Sequence, residues 1–341
     1  MTRFDIPAPD AAAHAAALER LDALVKPVGA LGRLEELAAW LCAASGQVPP
    51  PPIERPRVVV FAGDHGVSRL SAYPREVTAA MVRVFLAGKS GVNVLAREVG
   101  AGVRVLDIAV DDDLSDVPAE VRAWKVRRGS GSIEAEDALE PGEAARAFEA
   151  GRRVADAEVD DGADLLIPGD MGIGNTAVAA ALVAAALGVP AEEVVGTGTG
   201  VDEAGRARKV AVVRAAVERA GERVSDPFKL LTALGSACAA ATAGFLVQGA
   251  VRGVPVVLDG VFSAAAAVVA AEIAPEAVRW WLAGHRSTEP SQAVALKALG
   301  LTPIVDLGLR LGEGSGAVQA IPTLRAARAI IADMGLLADL G

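Results

Sequence analysis

The chain has 341 residues, of which 52% are hydrophobic but only 4% aromatic, and it carries a formal charge of -10. That length exceeds a single core of roughly 100–200 residues, so one large unit plus a smaller one is expected. A core built from Ala, Val and Leu rather than aromatics favours an α/β enzyme of packed helices and buried strands. The acidic balance excludes a nucleic-acid backbone or an anionic membrane as the main partner, since both call for positive charge; a small ligand is expected instead.

Cys42 and Cys238 sit in Ala-rich apolar runs without CxxC spacing, which reads as reduced core thiols in a cytoplasmic protein. The N-terminus lacks the apolar core of a signal peptide, and Gly or charges interrupt the apolar runs before membrane-spanning length.

In chain order, an Ala-rich helix near His14 to Leu24 leads through a Pro/Gly loop, Lys26-Pro27-Val28-Gly29-Ala30-Leu31-Gly32, into a second amphipathic helix. The Pro49 to Pro52 run is a stiff connector. Arg57 to Ala62 is then a continuous β-branched run of the fully buried kind. Val103 to Val110, Leu165 to Pro168 and Val254 to Asp259 read as further buried strands, and Ile304 to Leu307 as a weaker one. Residues 111–149 read as an exposed, charged excursion, and a C-terminal helix is expected from about Pro322 to Leu340. Strands alternating with helices imply a doubly wound, mainly parallel sheet with helices on both faces, whose ligand lies beyond the carboxyl ends of the strands. The terminal segments, residues 1–55 and 321–341, should form a small helical unit beside a catalytic unit of residues 56–320.

The loops after the strands carry the chemistry. Gly63-Asp64-His65-Gly66-Val67 follows the first, where Asp64 and His65 could be a catalytic pair, metal ligands or loop organisers. Gly169-Asp170-Met171-Gly172-Ile173-Gly174-Asn175-Thr176 runs into an Ala-rich helix and has the form of a phosphate cradle, with backbone N–H groups at a helix start. Gly196-Thr197-Gly198-Thr199-Gly200 adds a second Gly-rich loop, and Lys209 follows on the next helix. Neither loop matches GxGxxG or the P-loop, which argues against a dinucleotide-dependent dehydrogenase and suits a mononucleotide. Leu309-Arg310-Leu311-Gly312-Glu313-Gly314-Ser315-Gly316-Ala317 sets one carboxylate on a bare turn in an apolar segment. Such a group can face a ligand closely and bind a proton tightly, as a general base must, although a Gly-Glu-Gly turn can equally be mere punctuation.

These segments, together with Ser71-Ala72-Tyr73-Pro74, Val77-Thr78, Asp259-Gly260 and Gly284-His285-Arg286-Ser287-Thr288-Glu289-Pro290, read as a turn, resemble the nicotinate-nucleotide:5,6-dimethylbenzimidazole phosphoribosyltransferase family. The likeness covers nearly the whole chain. It implies transfer of phosphoribose from nicotinate mononucleotide to an azole nitrogen of 5,6-dimethylbenzimidazole, giving α-ribazole 5'-phosphate and nicotinate with inversion, in assembly of the cobalamin lower ligand. No metal or cofactor is implied, and the chain is expected to be a homodimer.

By the same resemblance Glu313 is the general base, Asp170 is a second acid where the family commonly has Glu, and Lys209 offsets nucleotide charge. Gly172, Ile173, Gly174, Asn175, Thr176, Gly198, Thr199, Gly200, Gly314, Ser315 and Gly316 would line phosphate and ribose; Ser71, Tyr73 and Met81 would surround the acceptor. Ala80 stands where Gln is expected, Ser291-Gln292 where Gly-His is common, and Gly235-Ser236-Ala237-Cys238 replaces Gly-Gly-Phe-Glu. These departures leave open a catalytically altered nucleotide-binding or regulatory relative, or a transferase for a different aromatic acceptor.

Overall fold

In a computed structural model, which describes residues 4–340, six strands form one all-parallel sheet. They are β1 (Pro56–Gly63), β2 (Gly102–Ala109), β3 (Leu165–Met171), β4 (Val256–Leu258), β5 (Trp281–His285) and β6 (Pro303–Val305), in the order β2-β1-β3-β4-β5-β6. The period of a strand explains why β1 is apolar from Val58 to Ala62. Val58, Val60 and Ala62 face one hydrophobic cluster, while Val59 and Phe61 face the other, so every position from Val58 to Ala62 is buried.

One face is covered by helices Glu143–Asp160, Asn175–Leu187, Ala237–Val251 and Val261–Ile273. Helices Ala11–Asp22, Arg33–Ser45, Val77–Leu86, Gly91–Glu98 and Ser315–Asp333 cover the other. The Ala-rich core has a direct consequence on the first face. Helices Glu143–Asp160 and Ala237–Val251 touch backbone to backbone, because a Cβ at Gly151 or Gly244 would strike the carbonyl of Ala241 or Phe148.

Because β1 is flanked by β2 on one side and β3 on the other, the chain reverses direction across the sheet there. The carboxyl ends of β1 and β3 therefore border the crevice in which such sheets bind ligands.

Several expectations change. β5 is a strand the sequence reading does not place: Trp281, Leu282 and Ala283 pair in parallel with Val256, Val257 and Leu258, and the strand runs on into Gly284 and His285, the start of the expected turn. β3 runs past Pro168, because Gly169, Asp170 and Met171 stay in register with Val60, Phe61 and Ala62, so Asp170 stands on a strand and not in a loop. The excursion after β2 is not simply exposed. Leu114 and Ile133 are fully buried, and Glu143 already opens a helix. The C-terminal helix begins at Ser315, with Pro322 in its interior. Val77–Glu98 is long and apolar enough to cross a membrane by length and composition alone, but it folds as two helices, Val77–Leu86 and Gly91–Glu98, that pack on the sheet through Val82, Phe85 and Val92. Both cysteines are free and buried.

Candidate active site

At the carboxyl edge of the sheet a cavity of about 330 Å³ is walled by the ends of β3 and β5 and the loops after β1, β4 and β6. Glu313 enters it from the last of these loops. The turn needs positive φ at three consecutive residues, Gly312 (80°), Glu313 (67°) and Gly314 (94°), which only the glycines adopt without cost. Two contacts hold it. The Glu313 carbonyl lies against Gly169, where any side chain would collide. Asp259, after β4, accepts the N–H groups of Gly314 (3.1 Å), Gly316 (2.8 Å) and Ala317 (3.0 Å), so a buried carboxylate caps the helix and pins the turn.

The Glu313 side chain is 4% exposed, and its Oε2 accepts the Val92 N–H at 3.0 Å, at the start of helix Gly91–Glu98. Burial raises its pKa. The Val92 hydrogen bond opposes this and the Asp259 charge adds to it, leaving the group above the usual glutamate range. Asp170 shares the same wall. Burial pushes its pKa up to about 7 against the lowering effect of the Asn175 amide, 2.5 Å from Oδ2, and the charges of Asp259 and Glu313 push the same way. Two carboxyl groups beside a largely apolar space thus hold a proton more tightly than free carboxylates do, as a general base needs.

The other end of the cavity is built around a cation. Lys209 is 3% exposed; its Nζ donates to Thr176 Oγ1 at 2.6 Å and lies 3.8 Å from Glu289 Oε2. Glu289 in turn accepts the Gly198 N–H at 2.7 Å, so it braces the second Gly-rich loop. Burial lowers the Lys209 pKa and Glu289 raises it, the first effect being the larger. Arg310 reaches the same loop through the Gly198 carbonyl at 3.2 Å. Ser71 and Thr199 hydroxyls, 3.5 Å apart, join the two ends.

Ser71, Tyr73, Met81, Asp170, Gly172, Ile173, Gly174, Asn175, Thr176, Gly198, Thr199, Lys209 and Glu313 all line this one cavity. Gly200, Gly314, Ser315 and Gly316 lie outside its lining. Their N–H groups are engaged within the protein: Asp259 takes those of Gly314 and Gly316, while those of Ser315 and Gly200 bond to Gly312 and Thr197 carbonyls. Part of the first cradle is likewise occupied, since Ile173 N–H donates to Thr78 Oγ1 and Thr176 N–H to Asn175 Oδ1.

Asp64 and His65 are buried behind the lining. Asp64 accepts the Asp111 N–H at 2.7 Å, and burial lowers the His65 pKa to about 4, so the loop-organising alternative holds for Asp64. Sequence reasoning assigns no role to Glu289, Arg310, His285 or Ser287, which also line the cavity. For Glu289, His285 and Ser287 the signal lies in the Gly284 to Pro290 segment but reads there as turn chemistry, and Arg310 sits in the Leu309 to Ala317 segment beside Glu313.

The departures at Gln292 and Ser236 have structural roles. Gln292 accepts the Ser287 N–H and donates to the Asp259 and His285 carbonyls, tying the ends of β4 and β5 together. Ser236 caps helix Ala237–Val251 by accepting the Ala239 N–H, and Ala80 is exposed.

A family model described as phosphoribosyltransferase matches residues 6–341. The nicotinate-nucleotide–dimethylbenzimidazole phosphoribosyltransferase of Mycobacterium avium (strain 104) is 56% identical over 335 residues, covering 98% of this chain and 95% of the relative. This chain belongs to the nicotinate-nucleotide–dimethylbenzimidazole phosphoribosyltransferase family. The member from Mycobacterium tuberculosis (strain ATCC 25618 / H37Rv) is also 56% identical, over 336 residues, covering 98% of this chain and 92% of its own. Among solved structures, CobT from Thermus thermophilus superposes with a TM-score of 0.91 at 44% identity, covering 97% of this chain and 98% of that one. Within this phosphoribosyltransferase family, then, the chain keeps the α/β architecture over 97% of its length.

Proposed function

We propose that the chain transfers phosphoribose from nicotinate mononucleotide to 5,6-dimethylbenzimidazole or a close azole, yielding α-ribazole 5'-phosphate and nicotinate with inversion. The observation that carries this reading is one cavity with a proton-hungry carboxylate, Glu313, at one end and the Lys209, Thr176 and Gly198 cluster at the other. One azole nitrogen attacks ribose C1 as the C1–nicotinate bond breaks. The pyridinium leaves as neutral-ring nicotinate, and Glu313 takes the proton from the other azole nitrogen. Glu313 until it is protonated, and Asp170 when it is ionised, add negative charge beside an oxocarbenium-like centre.

Lys209 and the Gly198 loop bear the nucleotide phosphate in this reading, and Ser71, Tyr73 and Met81 flank the acceptor. Of the departures discussed above, Asp170 is the one in the cavity lining, so nothing in the others favours a regulatory relative. Tyr73 (53% exposed) and Leu311 (56%) line the mouth as apolar surface that a second copy of the chain would cover, which supports a homodimer. The packing of helices Ala11–Asp22 and Arg33–Ser45 on each other and on Ser315–Asp333 supports the small helical unit.

The test is an end-point assay with nicotinate mononucleotide and dimethylbenzimidazole, benzimidazole, adenine or a phenol, with products separated by chromatography. Nicotinate release matched by an α-riboside phosphate is the expected result. Nucleotide binding with no transfer to any acceptor would overturn it.

A further inference from the structure

His285 ends β5 as part of the cavity wall, 2% exposed, and neither of its ring nitrogens has a hydrogen-bond partner. Its Nε2 lies 3.6 Å from Asp259 Oδ1, beyond hydrogen-bond reach, and Asp259 is already engaged by three backbone N–H groups. The ring is wedged over Gly316, where any Cβ would overlap it. A buried imidazole held this tightly and left unsatisfied calls for a partner supplied from the cavity.

The position of the ring narrows that partner. Behind it is Asp259, whose charge also reaches Asp170 and Glu313. Ahead of it the chain runs through Ser287 to Glu289, which braces Gly198 beside Lys209. His285 thus stands between the carboxyl end and the phosphate end. An anionic group, whether phosphate or ring carboxylate, is disfavoured next to Asp259. A neutral hydroxyl is not, and it can either donate to the unprotonated imidazole nitrogen or accept from the protonated one.

We infer that His285 holds a ribose hydroxyl of the nucleotide donor and makes the enzyme select ribonucleotides over deoxyribonucleotides. This rests on the phosphoribosyl-transfer reading for its donor. Asp259 is a positioning residue for the same contact, because its bonds to Gly316 and Ala317 seat the backbone under the ring.

The test compares kcat/KM for nicotinate mononucleotide and its 2'-deoxy and 3'-deoxy forms at saturating acceptor, in wild type, His285→Ala and His285→Asn. Wild type should prefer the ribonucleotide over at least one deoxy form by about tenfold or more. His285→Ala should lose that preference by falling on the ribonucleotide alone, and His285→Asn should retain part of it.

An unchanged ribo-to-deoxy ratio in the folded variants would overturn the inference, as would a wild type that does not discriminate. If the alanine variant does not fold, His285→Asn and the wild-type ratio still decide. If wild type transfers nothing, the functional reading has failed, and calorimetric affinities of the same three nucleotides then decide the role of His285 alone.

Discussion

The two ends of the cavity bury ionisable groups equally deeply but treat them in opposite ways. At the phosphate end Lys209 is met by Thr176 and Glu289, and Glu289 by the Gly198 N–H, so opposite charges share a closed network. At the other end Asp170 and Glu313 face like charges and apolar walls, with only neutral donors, Asn175 for the first and Val92 and its neighbours for the second. The first arrangement holds a charged ligand in place. The second keeps carboxyl groups ready to change protonation state. Burial alone therefore says little about the role of a charged residue; the sign of its neighbours decides it.

The largest expected break comes from Glu313→Gln, which keeps shape and hydrogen bonding but removes the basic site. Turnover should fall by about 10²- to 10⁴-fold, while nucleotide affinity measured by calorimetry stays within a few-fold. A variant with wild-type turnover would end the general-base assignment.

At the opposite end Lys209→Met should act on binding instead, raising the nucleotide KM by roughly ten- to a hundredfold with little change in acceptor KM. It also strands Glu289 as a buried anion, so a lower melting temperature is expected. Adding Glu289→Gln should recover part of that loss.

The smallest expected effect sharpens the comparison through pH. Asp170 is pushed up to about 7 in the fold, so between the unfolded carboxyl value and that point the folded state holds a proton that the unfolded state has lost. Its contribution is therefore complete at low pH and is lost as pH rises through about 7. Asp170→Asn should flatten that decline and make the protein more stable at pH 8 by on the order of 1–3 kcal/mol, read from urea unfolding at pH 5 and pH 8. Equal slopes for the two proteins would show that Asp170 is not protonated in the fold.

Much of this fold is legible in the sequence, for identifiable reasons. β1, β2 and β3 announce themselves because largely buried parallel strands must be mostly apolar, with Arg104 and Asp107 the interruptions in β2. β5 does not, since Trp281-Leu282-Ala283-Gly284-His285 has no β-branched residue and ends in a Gly-His pair that reads as a turn. Glu313 and the cradles are visible because glycine marks where a backbone must bend or come close. Glycine does not reveal which way an N–H points, and so Gly314 and Gly316 read as ligand contacts when they serve Asp259. That contact joins residues far apart in sequence, as does the one between Glu289 and Gly198. No local pattern encodes either.

The positive φ at Glu313 has a further consequence. A glycine there would relieve a backbone cost of about 1 kcal/mol or more and would remove a buried carboxyl group as well. At this turn the easiest route to a sturdier protein leads through an inert one. Selection for heat resistance alone would erode the very residue the reaction needs, so any effort to harden this enzyme must score turnover in the same round as melting temperature.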